Sequence, residues 1–228
     1  MLSVALDGPA GAGKSTIAKT LAQKFGFLYV DTGALYRAIG KYMLDHGKHP
    51  GDPAQVVPLL SSLSVELCYR EDGQRVLVNG EDVTGQIRTQ AVSAAASQVS
   101  AIKEVRDFLF SLQRELAQKH NVMMDGRDIG TVVLPQATVK IFLTASAEDR
   151  ARRRYLDLQQ KGDDTPYEEV LRTVIQRDYD DSHRSVAPLC QASDALLVDT
   201  TGETLETSLQ RLEALILEQL EKKGERLP

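Results

Sequence analysis

The sequence predicts an α/β protein in which a parallel β-sheet is flanked by helices, broken once by a small antiparallel insert and followed by a helical hairpin. Three observations predict it. Short apolar runs alternate with stretches of helical spacing along most of the chain, the order that builds a parallel sheet covered on both faces. A proline-punctuated segment with strand-like alternation interrupts that series. Further on, a dense set of arginines marks a pair of helical stretches.

Residues 2–7 are mostly apolar and stop at Gly8-Pro9, so they read as a buried strand feeding a loop. In 14–24, Ile17, Ala18, Leu21 and Ala22 form one helical stripe. Residues 27–30 repeat the strand pattern and end at Asp31, after which Leu35, Ile39 and Met43 recur every four positions as a helix. Between about 47 and 85, Pro50, Pro53 and Pro58 punctuate the chain, and the alternating runs 64–69 and 75–78 flank Glu71-Asp72-Gly73, a hairpin signature with Asp-Gly at its turn. Helical texture returns over 89–119, and 122–125 and 139–143 are further buried strands.

Ser146 with Asp149 predicts a cap before an arginine-rich helix, and Thr165-Pro166-Tyr167-Glu168 predicts the start of the next. The polar stretch 159–164 between them makes the tip of a helical hairpin. Residues 195–198 form a last strand, and Leu205, Leu209, Leu212 and Ile216 a final amphipathic helix. Ligands of such a sheet bind at the carboxyl ends of its strands.

The 228 residues suffice for one core with inserted subdomains, and a composition 42% hydrophobic and 26% charged is that of a globular protein. A formal charge of −5 offers no general attraction to nucleic acid. Cys68 and Cys190 are read as reduced, partly buried small hydrophobes, since two cysteines form no disulfide framework. No run approaches the roughly 18 to 20 apolar residues of a membrane span, and no basic leader opens the chain. The expectation is therefore a cytoplasmic protein with no membrane or nucleic-acid partner; lacking a long exposed apolar stripe, it is expected to be a monomer.

Gly8-Pro9-Ala10-Gly11-Ala12-Gly13-Lys14-Ser15, continued by Thr16, fits G-x-x-x-x-G-K-[ST] at every fixed position, with a strand before it and a helix after. Its glycines let successive N–H groups converge on phosphate oxygens, Lys14 can reach the β- and γ-phosphates, and Ser15 offers a hydroxyl to Mg²⁺. The loop identifies a nucleoside triphosphate site without saying what receives the phosphoryl group. A GTPase should also carry Asn-Lys-x-Asp after a strand, and none is present.

An acceptor site can be assembled from two other strand ends. Asp31-Thr32-Gly33-Ala34-Leu35-Tyr36-Arg37 and Asp125-Gly126-Arg127-Asp128 each bring arginine and aspartate to the carboxyl edge. An arginine fork matches a phosphate, and an aspartate, which only accepts, suits an exocyclic amino group or a ribose hydroxyl. Each residue also has a plainer reading. Arg37 could be a solvated helix residue, and Thr32 and Tyr36 a cap and a core edge. Asp125 is a candidate for the magnesium shell through water, or else for a structural bond. Arg150, Arg152, Arg153 and Arg154 cluster on one helix, with Arg177, Asp181 and Arg184 on the next. Such crowding is expected to be costly unless an anion neutralises it; a solvated basic face or nucleic-acid patch is the alternative, weakened by the lack of interleaved aromatics.

The segments 7–15, 31–37, Asn79-Gly80-Glu81-Asp82-Val83-Thr84, Ile87-Arg88-Thr89, Ala96-Ser97-Gln98-Val99, 125–131 and Arg184-Ser185-Val186-Ala187-Pro188-Leu189 together resemble the bacterial cytidylate kinase family of the nucleoside monophosphate kinase group, over nearly the whole chain. The resemblance implies a P-loop kinase core (1–36, 86–145 and 186–228), a monophosphate-binding region with a small β insert (37–85) and a helical lid (146–185). It implies transfer of the γ-phosphoryl group of Mg·ATP to CMP or dCMP. By matching position, Thr32, Ser97, Arg106 and Asp128 would read cytosine; Arg37, Arg127 and Arg184 would hold the acceptor phosphate; and Tyr36, Arg177 and Asp181 the sugar. Lys14 and the lid arginines, Arg153 and Arg154 foremost, would stabilise the transferring group. Thr32 stands where related enzymes often have serine, and Ser15 where some have glycine. The alternatives are a P-loop kinase with another small-molecule acceptor, or an ATP-gated nucleic-acid module.

Overall fold

The computed structural model describes residues 1–70 and 73–227. In chain order its elements are β1 (Ser3–Asp7), α1 (Lys14–Phe25), β2 (Leu28–Asp31), α2 (Thr32–Asp45), α3 (Pro53–Leu60), β3 (Val65–Arg70), β4 (Gly73–Val78), β5 (Glu81–Asp82), α4 (Gln90–Ser100) and α5 (Lys103–Lys119). Then follow β6 (Val122–Gly126), a π-type turn (Ile129–Val133), β7 (Val139–Thr144), α6 (Ala147–Gln160), α7 (Tyr167–His183), β8 (Leu196–Asp199) and α8 (Leu205–Lys222). They form two compact units, Met1–Tyr29 with His120–Pro228, and Val30–Lys119.

In the first unit β1 is the central strand of a five-stranded parallel sheet of order β2-β6-β1-β7-β8. It pairs with β6 from Ser3↔Val122 to Asp7↔Gly126, and with β7 from Val4↔Val139 to Asp7↔Phe142. Residues 4–7 of β1 are buried on both faces, which is why this strand reads as a continuous apolar run rather than an alternating one. The helical stripe becomes the buried face of α1, where Ile17, Ala18, Leu21, Ala22 and Phe25 join Leu212, Ile216 and Leu220 of α8 in one core. Each side chain as large as Leu21 contributes about 2 kcal/mol by leaving water. Gly26, at φ 69°, ends α1 in the left-handed conformation.

The hairpin of α6 and α7 has a small core of its own, Ala151, Leu158, Val170 and Val174, with Tyr155 edge-on to Tyr167. Ser146 caps α6 as expected, accepting from Asp149 N–H at 3.1 Å. The start of α7 differs. Asp163 takes both the backbone N–H and the hydroxyl of Thr165, at 3.0 and 2.5 Å, so Thr165 is drawn into a local turn and the helix begins after Pro166 without a side-chain cap.

In the second unit Leu35, Ile39, Met43, Val56, Val76, Val99, Val105 and Leu109 form a separate core. α2 crosses α4 closely at Gly40, where a Cβ would lie 2.9 Å from Ala96 N. The expected hairpin is β3 and β4, antiparallel from Val65↔Val78 to Arg70↔Gly73. Its Glu71-Asp72 turn lies outside the described residues. β5 adds a third strand, and residues taken as punctuation form α3, with Asp52 accepting from Ala54 N–H and Pro53 at the first turn. Cys68 is half-buried and Cys190 exposed, both reduced, which corrects the expected burial of Cys190. Among the described residues no helix is long and apolar enough to cross a membrane.

Candidate active site

The phosphate loop leaves the end of β1. Gly8 has φ 148°, and a Cβ there would fall 1.9 Å from Leu143 O, so β7 leaves no room for a side chain. Gly13 stands at φ 88° before α1, with no side chain capping the helix, so the first-turn N–H groups point where a phosphate can take them. Ala10 O accepts from Arg150, Ala12 is buried and Thr16 is exposed on the first turn of α1. Lys14 is 5% exposed, with Nζ donating to Pro9 O at 2.7 Å. Burial, then the Arg127 charge, push its ammonium well below the usual lysine range, while Asp125, Asp7 and Asp181 pull it back up. A polyanion beside Nζ would favour the charged form.

Ser15 donates its hydroxyl to Asp125 Oδ2 at 2.8 Å, and Tyr29 donates to Asp125 Oδ1 at 2.9 Å. Asp125 is therefore tied by structural bonds on both oxygens. The pair also fits Mg²⁺, which takes hard oxygen donors and needs only one or two of them from the protein when a nucleotide supplies the rest.

Because β6 runs beside β1 with Gly126 opposite Asp7, Arg127 and Asp128 emerge next to the phosphate loop. Arg127 Nε donates to Asp181 Oδ2 at 2.8 Å. Burial raises the Asp181 carboxyl, but Arg127, with Arg177 and Arg184 behind it, overrides that and holds it below the ordinary value. Arg184 follows α7 and is almost fully buried; its Nε donates to Ala187 O at 2.6 Å and its Nη2 lies 3.6 Å from Asp128 Oδ1. Ala187 adopts φ 47° to present that carbonyl, an uncommon conformation outside glycine. Two arginine–aspartate pairs thus gather in the first unit from residues predicted separately.

The arginines of α6 divide. Arg150 is buried and donates to both oxygens of Asp178, to Ala10 O and to Ala145 O. The expected repulsion within the cluster is answered from inside the protein: Asp178 neutralises Arg150, and Asp149 pairs with Arg153 at 3.2 Å. Arg153 also donates to Thr200 O, and its Nη1 lies 3.9 Å from where a Cβ of Gly13 would be, so it borders the phosphate loop. Arg154 is half-buried and makes no ion pair among the described residues.

In the second unit, Asp31 and not Thr32 caps α2, accepting from Ala34 N–H at 2.9 Å. Its carboxylate also faces Arg37 at 3.9 Å and binds Arg88 at 2.8 Å. Gly33 permits this, since a Cβ there would lie 3.3 Å from Arg37 Nη1. Thr32 is buried at the first position of α2. Arg106, 6% exposed, donates to Ser100 O and stacks 5.6 Å over the ring of Tyr36. Ser97 lies half-buried one turn earlier on α4. Sequence reasoning gave no role to Asp7, Tyr29, Arg88 or Asp178. Asp7 was marked beforehand by closing an apolar strand, and Asp7 and Arg88 both lie in segments that carry the family resemblance, without a role attached to either.

A phosphate loop at the head of a parallel sheet, flanked by two arginine–aspartate pairs, defines the class of P-loop nucleotide-handling proteins. The family profile described as cytidylate kinase matches residues 4–218. The chain is 49% identical to the cytidylate kinase of Carboxydothermus hydrogenoformans, covering 94% of this chain and 97% of that one. It is 46% identical to that of Geobacter sulfurreducens (95% and 93%) and 45% to that of Lactobacillus gasseri (95% and 94%). An uncharacterized protein from Eubacterium ventriosum shares the fold at a TM-score of 0.54 and 10% identity, over 95% of this chain and 98% of that one. The chain belongs to the cytidylate kinase family.

Proposed function

We propose that the protein transfers the γ-phosphoryl group of ATP to CMP and dCMP, giving ADP and CDP or dCDP. The observation that carries this is the juxtaposition, on neighbouring strands β1 and β6, of a phosphate loop and the Arg127-Asp128 pair backed by Asp181 and Arg184. Phosphoryl transfer asks chiefly for positioning and charge neutralisation. The acceptor phosphate is already ionised at neutral pH, so no strong general base is assigned.

In this proposal the loop 8–16 holds the triphosphate by backbone N–H groups, with Lys14 against its terminal phosphates. Arg37, Arg127 and Arg184 hold the acceptor phosphate. Thr32, Ser97, Arg106 and Asp128 read cytosine, Asp128 accepting from its amino group, and Tyr36, Arg177 and Asp181 take the sugar. Arg153 and Arg154 face the transferring group when the lid, 146–185, closes and excludes water. Residues 37–85 are assigned to acceptor binding, and 1–36, 86–145 and 186–228 to the ATP-binding core. Ser15, with Asp125 directly or through water, would hold Mg²⁺, which when bound offsets charge on the β- and γ-phosphates. No nucleic-acid partner enters the reaction.

A panel of nucleoside monophosphates in a coupled ADP-release assay tests this. CMP and dCMP should give the highest kcat/KM. A higher value for UMP, AMP, GMP or a non-nucleotide acceptor would replace the reading.

A further inference from the structure

The carboxyl group of Asp7 has no part in the reaction just described. It closes β1 one residue before the phosphate loop, is 4% exposed, and accepts two backbone bonds, from Ile129 N–H to Oδ1 at 2.8 Å and from Gly130 N–H to Oδ2 at 2.7 Å. Those two amides open the π-type turn, whose preceding residue, Asp128, provides no side-chain cap. The first N–H groups of a helical turn have no partner within it. Asp7 supplies one from another strand, and does so immediately behind Asp128.

The charged groups around the clamp leave it undisturbed. Lys140 packs its stem against Gly130, but its ammonium is directed to Pro135 O and Asp194. Asp128 and Lys14 act on Asp7 in opposite senses. Burial pushes the Asp7 carboxyl up to about 6, against the pull of the Gly130 and Ile129 N–H groups. Ionised at neutral pH, Asp7 therefore stabilises the fold less than its protonated form does. Both of its oxygens are committed to the turn behind the acceptor-binding pair.

We propose that Asp7 is a positioning residue: by clamping Ile129 and Gly130 it fixes the backbone that carries Arg127 and Asp128, and so sets the acceptor specificity from the root of the phosphate loop. The inference rests on Asp128 as a reader of the base. An asparagine here would keep the shape but turn one NH₂ toward an N–H, replacing an accepted bond with two facing donors.

The test compares Asp7→Asn, Asp128→Ala and Gly130→Ala in the full chain. Two quantities are read: the ratio of kcat/KM for CMP to that for UMP, and amide hydrogen exchange at residues 129 and 130. Asp7→Asn should speed exchange at both amides while the sheet stays protected, and lower the ratio about tenfold, the size of one lost bond to a charged group. Gly130→Ala, whose Cβ would sit 3.3 Å from Asp7 Oδ2 and 3.2 Å from Lys140 Cδ, disturbs the clamp without removing the carboxylate and should lower the ratio by less. If Asp7→Asn proves too unstable to assay, this second variant carries the test. An unchanged ratio in the clamp variants, with Asp128→Ala lowering it, overturns the positioning role. An unchanged ratio in Asp128→Ala instead overturns the base-reading role on which it rests.

Discussion

Arg150 and Asp178 form a two-pronged ion pair across the α6–α7 hairpin, Nη1 to Oδ1 at 2.9 Å and Nη2 to Oδ2 at 2.5 Å, while the same guanidinium holds Ala10 of the phosphate loop. One side chain thus joins α6, α7 and the phosphate loop. Its neighbour Arg153, paired more loosely and a third exposed, is the better placed of the two to change partners when a substrate arrives.

Asp178→Ala leaves Arg150 buried without its counter-charge. Stability should fall by about 3 kcal/mol, the low end for breaking a buried pair because Asp178 is partly exposed. Urea unfolding measures this; an unchanged midpoint at constant slope would mean that the pair contributes nothing.

Arg184→Lys tests the guanidinium rather than the charge. A lysine cannot bond Ala187 O and face Asp128 in one plane. We expect kcat/KM for CMP to drop about a hundredfold, the scale of one lost charge-stabilising donor, with stability falling by about 1–3 kcal/mol from the lost bond to Ala187 O. Near-normal CDP formation would remove Arg184 from the acceptor site.

Asp128→Ala should erode the preference for CMP over UMP by about tenfold or more. Equal relative kcat/KM values for the two acceptors in variant and parent would show that the base is read elsewhere.

The elevated Asp7 carboxyl has a stability signature with a definite sign. Its folded value, about 6, exceeds the unfolded value of 3.8, so the folded state binds the proton more tightly. The ionised group costs stability above pH 6, by up to about 3 kcal/mol, and that cost is relieved as pH falls from about 6 to 4. The parent protein should therefore gain on Asp7→Asn over that interval in paired melting experiments. A difference in Tm independent of pH would sink the assignment.

Gly40→Ala sets a Cβ against backbone, 2.9 Å from Ala96 N, where no flexible side chain can yield. The α2–α4 crossing should open at a cost of about 1–3 kcal/mol. Wild-type stability would show that α2 and α4 part at this crossing without cost.

Local chemistry was legible where it is written in consecutive residues. The glycines of 8–13, the apolar run before them and the stripe of Ile17 and Leu21 after them announced strand, loop and helix, and the structure has all three. α3 was missed because its prolines, at Pro53 and Pro58, were weighed as breakers although the first sits where a helix tolerates it. The cap of α7 was misjudged because Asp163, two residues upstream, competes for Thr165.

By itself the sequence determined the alternation of strands and helices, the phosphate loop and the segments that carry the arginines and aspartates, because backbone preference and apolar periodicity act over a few residues. Only the tertiary structure decided which charge meets which. Asp7 reaches Ile129 across 122 positions, Arg127 reaches Asp181 across 54, and Arg150 reaches Asp178 across 28. An ionised side chain accepts any opposite charge that the fold brings near, so its partner is set by strand order and helix packing, not by anything beside it in the chain.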